Sequence, residues 1–408
     1  MLKKKSIKKK ITSLFIAMSS ITLIFVSGIS IGFVTLISKS TTDSTSTSLR
    51  NQIENNMLMT AEESSRVIMK KLQRVIAYLE GIISSIKQLF GAEVQFNATT
   101  SYFDYNLSTL PPDAIFNPIY NDYISNSTST YYIPNSNPSN IDSLRTISMN
   151  ASINKSAHVD SLLSSIFNEN QGIAWIRIAF EDGHILRRFP GTTVDPFRTY
   201  DPLTSVWYLQ AKASLQEAVI YSNPFQDTTN FGWLLSISKS IYVNDTFIGV
   251  ASIDLKLQTI QNDILTMTFL DTGYSALIQP DGTILAHPEW DFNGSIRNIN
   301  DLEIHSNQTP AINLAMIQNT GFLTSGLLEF MKDDDKYILS YAPVNEQYYF
   351  ISIVKELEAI KSVELIRQDS MHIQSIVLFG TIMLSLLVFV IVLTCGVMTA
   401  TKITEPID

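Results

Sequence analysis

Hydrophobic and polar positions change their period several times along this 408-residue chain. Residues 11–37, "ITSLFIAMSSITLIFVSGISIGFVTLI", and residues 373–400, "IQSIVLFGTIMLSLLVFVIVLTCGVMTA", carry no charge. About 20 apolar residues cross a bilayer as a helix, so both stretches are long enough to span with tilt. After the first stretch, residues 38–48 are rich in Ser and Thr and read as a hinge. From about 45 to 90 the period becomes helical: Leu72, Ile76, Leu79, Ile83, Ile86 and Phe90 recur at spacings of four and three, one stripe on one helix. At 1.5 Å per residue this stalk helix is roughly 70 Å long.

Residues 95–155 are rich in Asn, Ser, Tyr and Pro and predict loops and short elements. Beyond them the period is two. "GIAWIRIAFEDGHILRRFPG" alternates around Asp182-Gly183, and "FGWLLSISKSIYVNDTFIGVASIDLKL" gives two longer strands joined at Asn244-Asp245. "GYSALIQPDGTILAHPEW" turns at Pro280-Asp281-Gly282, and "DKYILSYAPVNEQYYFISIVKEL" turns near Asn345. Alternation interrupted by an Asp-Gly or Asn-Asp step, as in the first three, is a hairpin signal. "EDGHIL" (181–186) and "PDGTIL" (280–285) echo each other, each opening a set of strands that ends in a long hairpin. The expected fold is therefore α+β: a long N-terminal helix and two tandem PAS-like modules, antiparallel sheets flanked by helices, at 95–265 and 266–354. An exit helix, 355–372, leads into the second apolar stretch, and 401–408 follow it.

Charge orients this plan. Charged residues make up 16% of the chain, below the roughly 25% of an ordinary soluble protein, as membrane spans require. Six lysines lie among the first ten residues and only Lys39 closely follows the first span, which puts both termini in the cytoplasm and residues 38–372 outside a cell membrane. The net charge is −9; the first ten residues hold +6 and the last eight −1, so the remainder holds −14. So acidic an exterior does not suit nucleic acid and mildly favours cationic ligands. The single cysteine, Cys395, sits in the second span and leaves the outer part to be held by apolar burial.

The order of these elements, with four short motifs, resembles the double Cache (dCache) sensors of bacterial chemoreceptors and sensor kinases over residues 40–408. "DPLTSVWYLQA" (201–211) is similar to that family's Asp-Pro-X-X-Arg-Pro-Trp-Tyr-X-X-Ala signature, "SNPFQD" and "GVASIDLKL" to the motifs that follow it, and "ITEPID" to the start of a HAMP linker. The resemblance implies a ligand pocket in the membrane-distal module, with Tyr200, Trp207 and Tyr208 as an aromatic wall and Asp227 and Asp254 as amine-binding carboxylates. Phe225 stands where a pocket tyrosine is common. Ser205 stands where an arginine usually grips a ligand carboxylate, and a serine supplies no charge in its place. An amine or other cation therefore fits better than an amino acid, unless Arg187, Arg188 or Arg198 reaches in. From the residues alone, Trp207 and Tyr208 also fit a packed core, Asp254 a helix N-cap and Asp227 an ordinary turn.

Nothing in the chain has the pattern of an active site. The five histidines lack metal-ligand spacing, and there is no nucleophile elbow, P-loop or dinucleotide fingerprint. "HPEW" (287–290) reads as a surface turn. The expected role is a transmembrane receptor without cofactor or metal, paired with a second copy along the long helix. The alternatives are the sensory end of a histidine kinase or of a nucleotide or diguanylate cyclase, or a receptor that senses through a binding protein.

Overall fold

The structure, a computed structural model, describes residues 2–91, 100–193, 197–227, 232–290, 295, 297–303 and 324–404. They fall into two compact units, Met57–Val354 and the paired end segments Met1–Asn56 with Lys355–Asp408.

One helix, α1 (Leu2–Gly91), runs through the first apolar stretch and the stalk. The expected hinge at 38–48 is helical. Ser and Thr are only mildly unfavourable in a helix, and the segment contains neither Gly nor Pro to end it. In the second apolar stretch, α8 (Glu356–Thr404) is likewise a single helix. Ser13–Leu36 and Met371–Thr399 are long and apolar enough to cross a membrane. Within this unit, Arg50 pairs with Glu356 at 3.2 Å. Of "ITEPID", Ile403 and Thr404 continue α8 and the last four residues lie outside the described ones.

The larger unit holds two sheets. Before the first come β1 (Tyr102–Phe103), a small hairpin of β2 (Ile115–Asn117) and β3 (Asp122–Ile124), β4 (Thr130–Tyr132) and α2 (Ile141–Leu144). Two helices within or beyond the expected loop region follow, α3 (Ile147–Ala157), capped by the Thr146 hydroxyl on the Met149 amide, and α4 (Asp160–Glu169). Next are β5 (Ile173–Phe180), β6 (Leu186–Phe189), α5 (Val206–Ala213), β7 (Ile220–Tyr221), β8 (Phe225–Gln226), β9 (Trp233–Val243) and β10 (Thr246–Lys256). The sheet order is β1-β4-β6-β5-β10-β9-β7, with β8 on β9. The β5–β6 turn uses Gly183 at φ 71°, and the β9–β10 turn holds Asn244 and Asp245 at φ 47° and 61°, the left-handed pair of a tight hairpin.

The second sheet, β12-β11-β15-β14-β13, contains β11 (Tyr274–Ile278), β12 (Ile284–Ala286), β13 (Gly326–Lys332), β14 (Asp335–Asn345) and β15 (Tyr348–Lys355). Helices α6 (Leu257–Leu265) and α7 (Ile299–Glu303) accompany it. β13 lies outside the expected hairpins; it joins β14 through Asp333 and Asp334, both at positive φ. "HPEW" is a turn but not a surface one: His287 and Trp290 are buried, against Tyr274 and Trp233 respectively.

The stalk stripe packs into the chain's own core. Leu72, Leu79, Ile83 and Ile86 are buried, and Ile76 and Phe90 are half-buried against the same cluster, which includes Ile176, Ile178, Phe180, Ile237 and Ile253 of the first sheet. Fully burying such a side chain is worth about 1.5–3 kcal/mol, so this stripe fixes the helix to the sheet. The stripe that seemed available to a second copy is thus already covered.

Candidate functional site: a cavity with a polar floor

The first sheet has two unlike faces. Strand alternation sends Ile176, Ile178, Phe180, Ile237 and Ile253 to the α1 side and Trp175, Arg177, Ser236, Ser238, Ser252 and Asp254 to the other. The register lines up Arg188 of β6, Arg177 of β5, Ser252 of β10 and Ser238 of β9 as direct neighbours, a polar row across four strands. Buried sheet faces are ordinarily apolar, and this row separates two small apolar clusters. One is built on Tyr132, Leu186, Trp207, Tyr208 and Val250, the other on Tyr120, Ile124, Trp175 and Leu234.

Above the row lies a cavity of about 1150 Å³. Its aromatic lining includes Tyr105, Tyr120, Trp175, Phe197, Tyr200, Trp207 and Phe225; its charged lining is Arg177, Arg188, Asp122 and Asp227. α5 forms one wall. Asp201 caps the short turn Pro202–Thr204 through the Leu203 amide at 3.0 Å, and that turn delivers Ser205 to the N-cap of α5. The Ser205 hydroxyl meets the Tyr200 hydroxyl at 2.8 Å.

The residues expected from the sequence divide. Tyr200, Trp207, Phe225 and Asp227 line the cavity, as does Ser205. Tyr208 does not: it is 0% exposed, donates its hydroxyl to Glu181 Oε2 at 2.5 Å and meets Phe247 edge-on. Consecutive helical residues point about 100° apart, so Trp207 and Tyr208 cannot share a wall. Asp254 is also 0% exposed and lies beneath the surface. It is a ladder residue inside β10, and the N-cap of α6 is Lys256, so its carboxylate caps no helix. Oδ1 accepts from Arg177 Nη2 at 2.5 Å and from Ser236 Oγ at 2.6 Å, and Oδ2 is buried without a hydrogen-bond partner. Burial raises its pKa against the opposing pull of Arg177.

A cation was expected to fit better unless Arg187, Arg188 or Arg198 reached in, and one of the three does. Arg188 lines the cavity, stacked 4.2 Å over Trp175, and so does Arg177, 4.7 Å from Trp207. They come from β5 and β6 rather than from the start of α5. Arg187 and Arg198 do not line it. Arg187 is buried on the opposite face, bonded to Ser156, Ser129, Ser101 and the Ile153 carbonyl. Arg198 pairs with buried Asp104 at 2.6 Å, between Phe103 and Tyr132. Tyr105, Tyr120, Asp122, Trp175 and Arg177 were not singled out from the sequence. Among the described residues, no group of three or more His, Cys, Asp or Glu is placed to hold a metal ion.

The Cache domain model of the dCache_1 type matches residues 45–363. The chemotaxis protein McpC of Bacillus subtilis is 35% identical over 89 residues, 22% of this chain and 13% of McpC. PctB of Pseudomonas aeruginosa is 28% identical over 162 residues, 38% of this chain and 23% of PctB. Its ligand-binding domain, solved in complex with L-Arg, gives a TM-score of 0.46 at 17% identity, over 76% of this chain and 97% of that one. The extracellular domain of the candidate histidine kinase mmHK1S-Z3 shares the fold at a TM-score of 0.51, 14% identical over 77% of this chain and 98% of that one. The chain thus spans under a quarter of the length of either chemotaxis protein. With the long helix, the two sheets and the family match over residues 45–363, this chain belongs to the Cache family, with a dCache sensor domain related to the ligand-binding domains of bacterial chemoreceptors.

Proposed function

We propose that this protein is a two-pass membrane receptor whose dCache domain, at 38–372, faces outward and binds a small polar solute in the cavity of the first, membrane-distal module. One observation supports this above the rest. Trp207 Nε1, Arg177 Nε and Arg188 Nε are buried without hydrogen-bond partners, and all three residues line one cavity. Such atoms cost about 1–3 kcal/mol each when left unmatched, and a cluster of them around an aromatic-walled space is what a polar ligand would complete. The lysine-rich start and the two apolar helices support the orientation. Signal transfer follows from the chain path: β15 of the second module runs directly into α8.

Of the solutes that the sequence leaves open, a plain amine, another cation or an amino acid, the arginine-lined floor favours one with a carboxylate. Melting of the full chain in lipid nanodiscs against amino acids, amines and organic acids tests the reading; a protein that none of them stabilises would argue for sensing through a binding protein. We also propose that the chain pairs with a second copy through the outer face of α1, where Met59 and Val67 are exposed, rather than through the Leu72–Leu79–Ile86 stripe. Cysteines at 59 or 67 should trap a dimer; trapping at 79 instead would contradict the packing.

A further inference from the structure

The polar row on the sheet floor arranges its charges in an order that a packed core avoids. Arg177 and Arg188 are direct cross-strand partners on one face, and both are largely buried. Like charges directly opposed on neighbouring strands repel, and more strongly away from water. Arg177 has Asp254 as counter-ion. Arg188 has no carboxylate within ion-pair reach among the described residues; its Nη2 donates to the Thr193 carbonyl at 2.5 Å. The Nε of each is buried without a hydrogen-bond partner, as is Trp207 Nε1 beside them. Stacking on Trp175 and Trp207 holds both guanidinium planes before any ligand arrives.

We propose that Arg177 and Arg188 form an anion cradle on the cavity floor, and that the ligand is a small organic carboxylate for which an amino group is not required. The inference rests on the reading of the cavity as the ligand site and gives that ligand its charge. A carboxylate between the two guanidiniums removes their mutual repulsion. The amine seat implied by the family resemblance is closed at Asp254. That carboxylate lies off the cavity surface with Arg177 bonded to it, and an ammonium reaches it only by displacing Arg177. Asp122 and Asp227 stay on the wall. Asp122 already accepts the Thr192 hydroxyl and the Tyr123 amide, both at 2.7 Å. Both aspartates attract Arg188 across the lining, and they suit a hydroxyl or other donor on the same ligand. Burial pushes the pKa of Arg188 down from its usual arginine value, a cost that a bound anion offsets.

The test uses the full chain in nanodiscs at fixed ionic strength, melted by tryptophan fluorescence. The probes are the acids L-lactate, pyruvate, succinate and L-malate, the amino acids L-alanine and L-aspartate, and the amines ethylamine and putrescine. The cradle predicts that at least one of the acids raises the melting temperature saturably and that neither amine does. Arg188→Met should weaken acid binding roughly ten- to a hundredfold, and Arg188→Lys should keep part of it. Without ligand, Arg188→Met should melt at or above wild type, because the repulsion is gone. Stabilisation by amines or amino acids with none by the acids overturns the cradle and leaves the cavity standing; so does acid binding that survives Arg188→Met. Arg188→Met melting far below wild type would make the guanidinium a structural group and also overturn it. A protein stabilised by no probe overturns the cavity reading together with the cradle.

Discussion

Asp254→Asn isolates the charge balance of the sheet floor. In wild type the Asp254 side chain is fully buried and Arg177 is 12% exposed, so neither charge is screened by bulk water. The asparagine keeps the shape and its hydrogen bond to Ser236, but it strips Arg177 of its counter-ion while Arg188 still faces it one strand away. Removing one member of a buried ion pair costs about 3–5 kcal/mol, most of it the desolvation of the charge left behind. For a unit of this size each kcal/mol moves the midpoint by roughly 2–4 °C, so the variant should melt about 6–20 °C below wild type. All four tryptophans, Trp175, Trp207, Trp233 and Trp290, lie in the larger unit and report its melting. The double variant Arg177→Met/Asp254→Asn should recover most of the loss, since neither member of the pair is then left as an uncompensated charge. Asp254→Asn melting within a degree or two of wild type, or a double variant no better than the single one, would refute the reasoning.

Two further substitutions and one pH series follow from the packing. At Gly249 an added Cβ would sit 2.1 Å from the Ala179 carbonyl oxygen on the paired strand, so Gly249→Ala should lower stability by about 1–3 kcal/mol; at Gly81 nothing lies within 4 Å, and Gly81→Ala in α1 should raise it by about 0.5–1 kcal/mol in the same melt. Glu217 holds Lys87 of α1 at 2.9 Å and Lys239 of β9 at 3.0 Å, and these bonds lower its pKa below the usual carboxylate value. A depressed carboxylate pKa contributes stability above the unfolded value of about 4.5 that is lost as pH falls through the folded value. The gap between wild type and Glu217→Gln, small because the side chain is more than half exposed, should therefore close as pH drops from 7 to below about 4.5; a gap that widens would contradict the sign.

Much of this architecture was legible where local chemistry and period agree. Asn244-Asp245 and Asp182-Gly183 mark their turns because they tolerate left-handed backbone, and alternation on either side then sets the register. β13 stood outside the expected hairpins although its turn, Asp333-Asp334, is an Asx-Asx step at positive φ like Asn244-Asp245. The continuous α1 was hidden by the polar Ser/Thr stretch, in which helix propensity is lowered but not broken. At the site, the family motif points to α5 but does not say which of two adjacent aromatics faces inward; Trp207 does and Tyr208 does not. The arginines were within reach of the sequence. A hairpin centred on Asp182-Gly183 sets Arg177 opposite Arg188, and period two puts Trp175 on the same face. Of the arginines that could replace the one absent at Ser205, Arg188 lines the cavity with Arg177 beside it, because the cavity takes its cations from the sheet and its aromatics partly from the helix.

The most direct test of the proposed ligand site in this dCache domain is hydrogen exchange of the full chain, with and without the organic acid that raises its melting temperature most. Binding in the first-module cavity predicts added protection in peptides covering β5 and β6 (173–189), the start of α5 (200–213) and the β8 wall (222–227), with little change over β11 to β15 (274–355). Protection confined to 274–355, with β5, β6 and α5 exchanging as before, would contradict it.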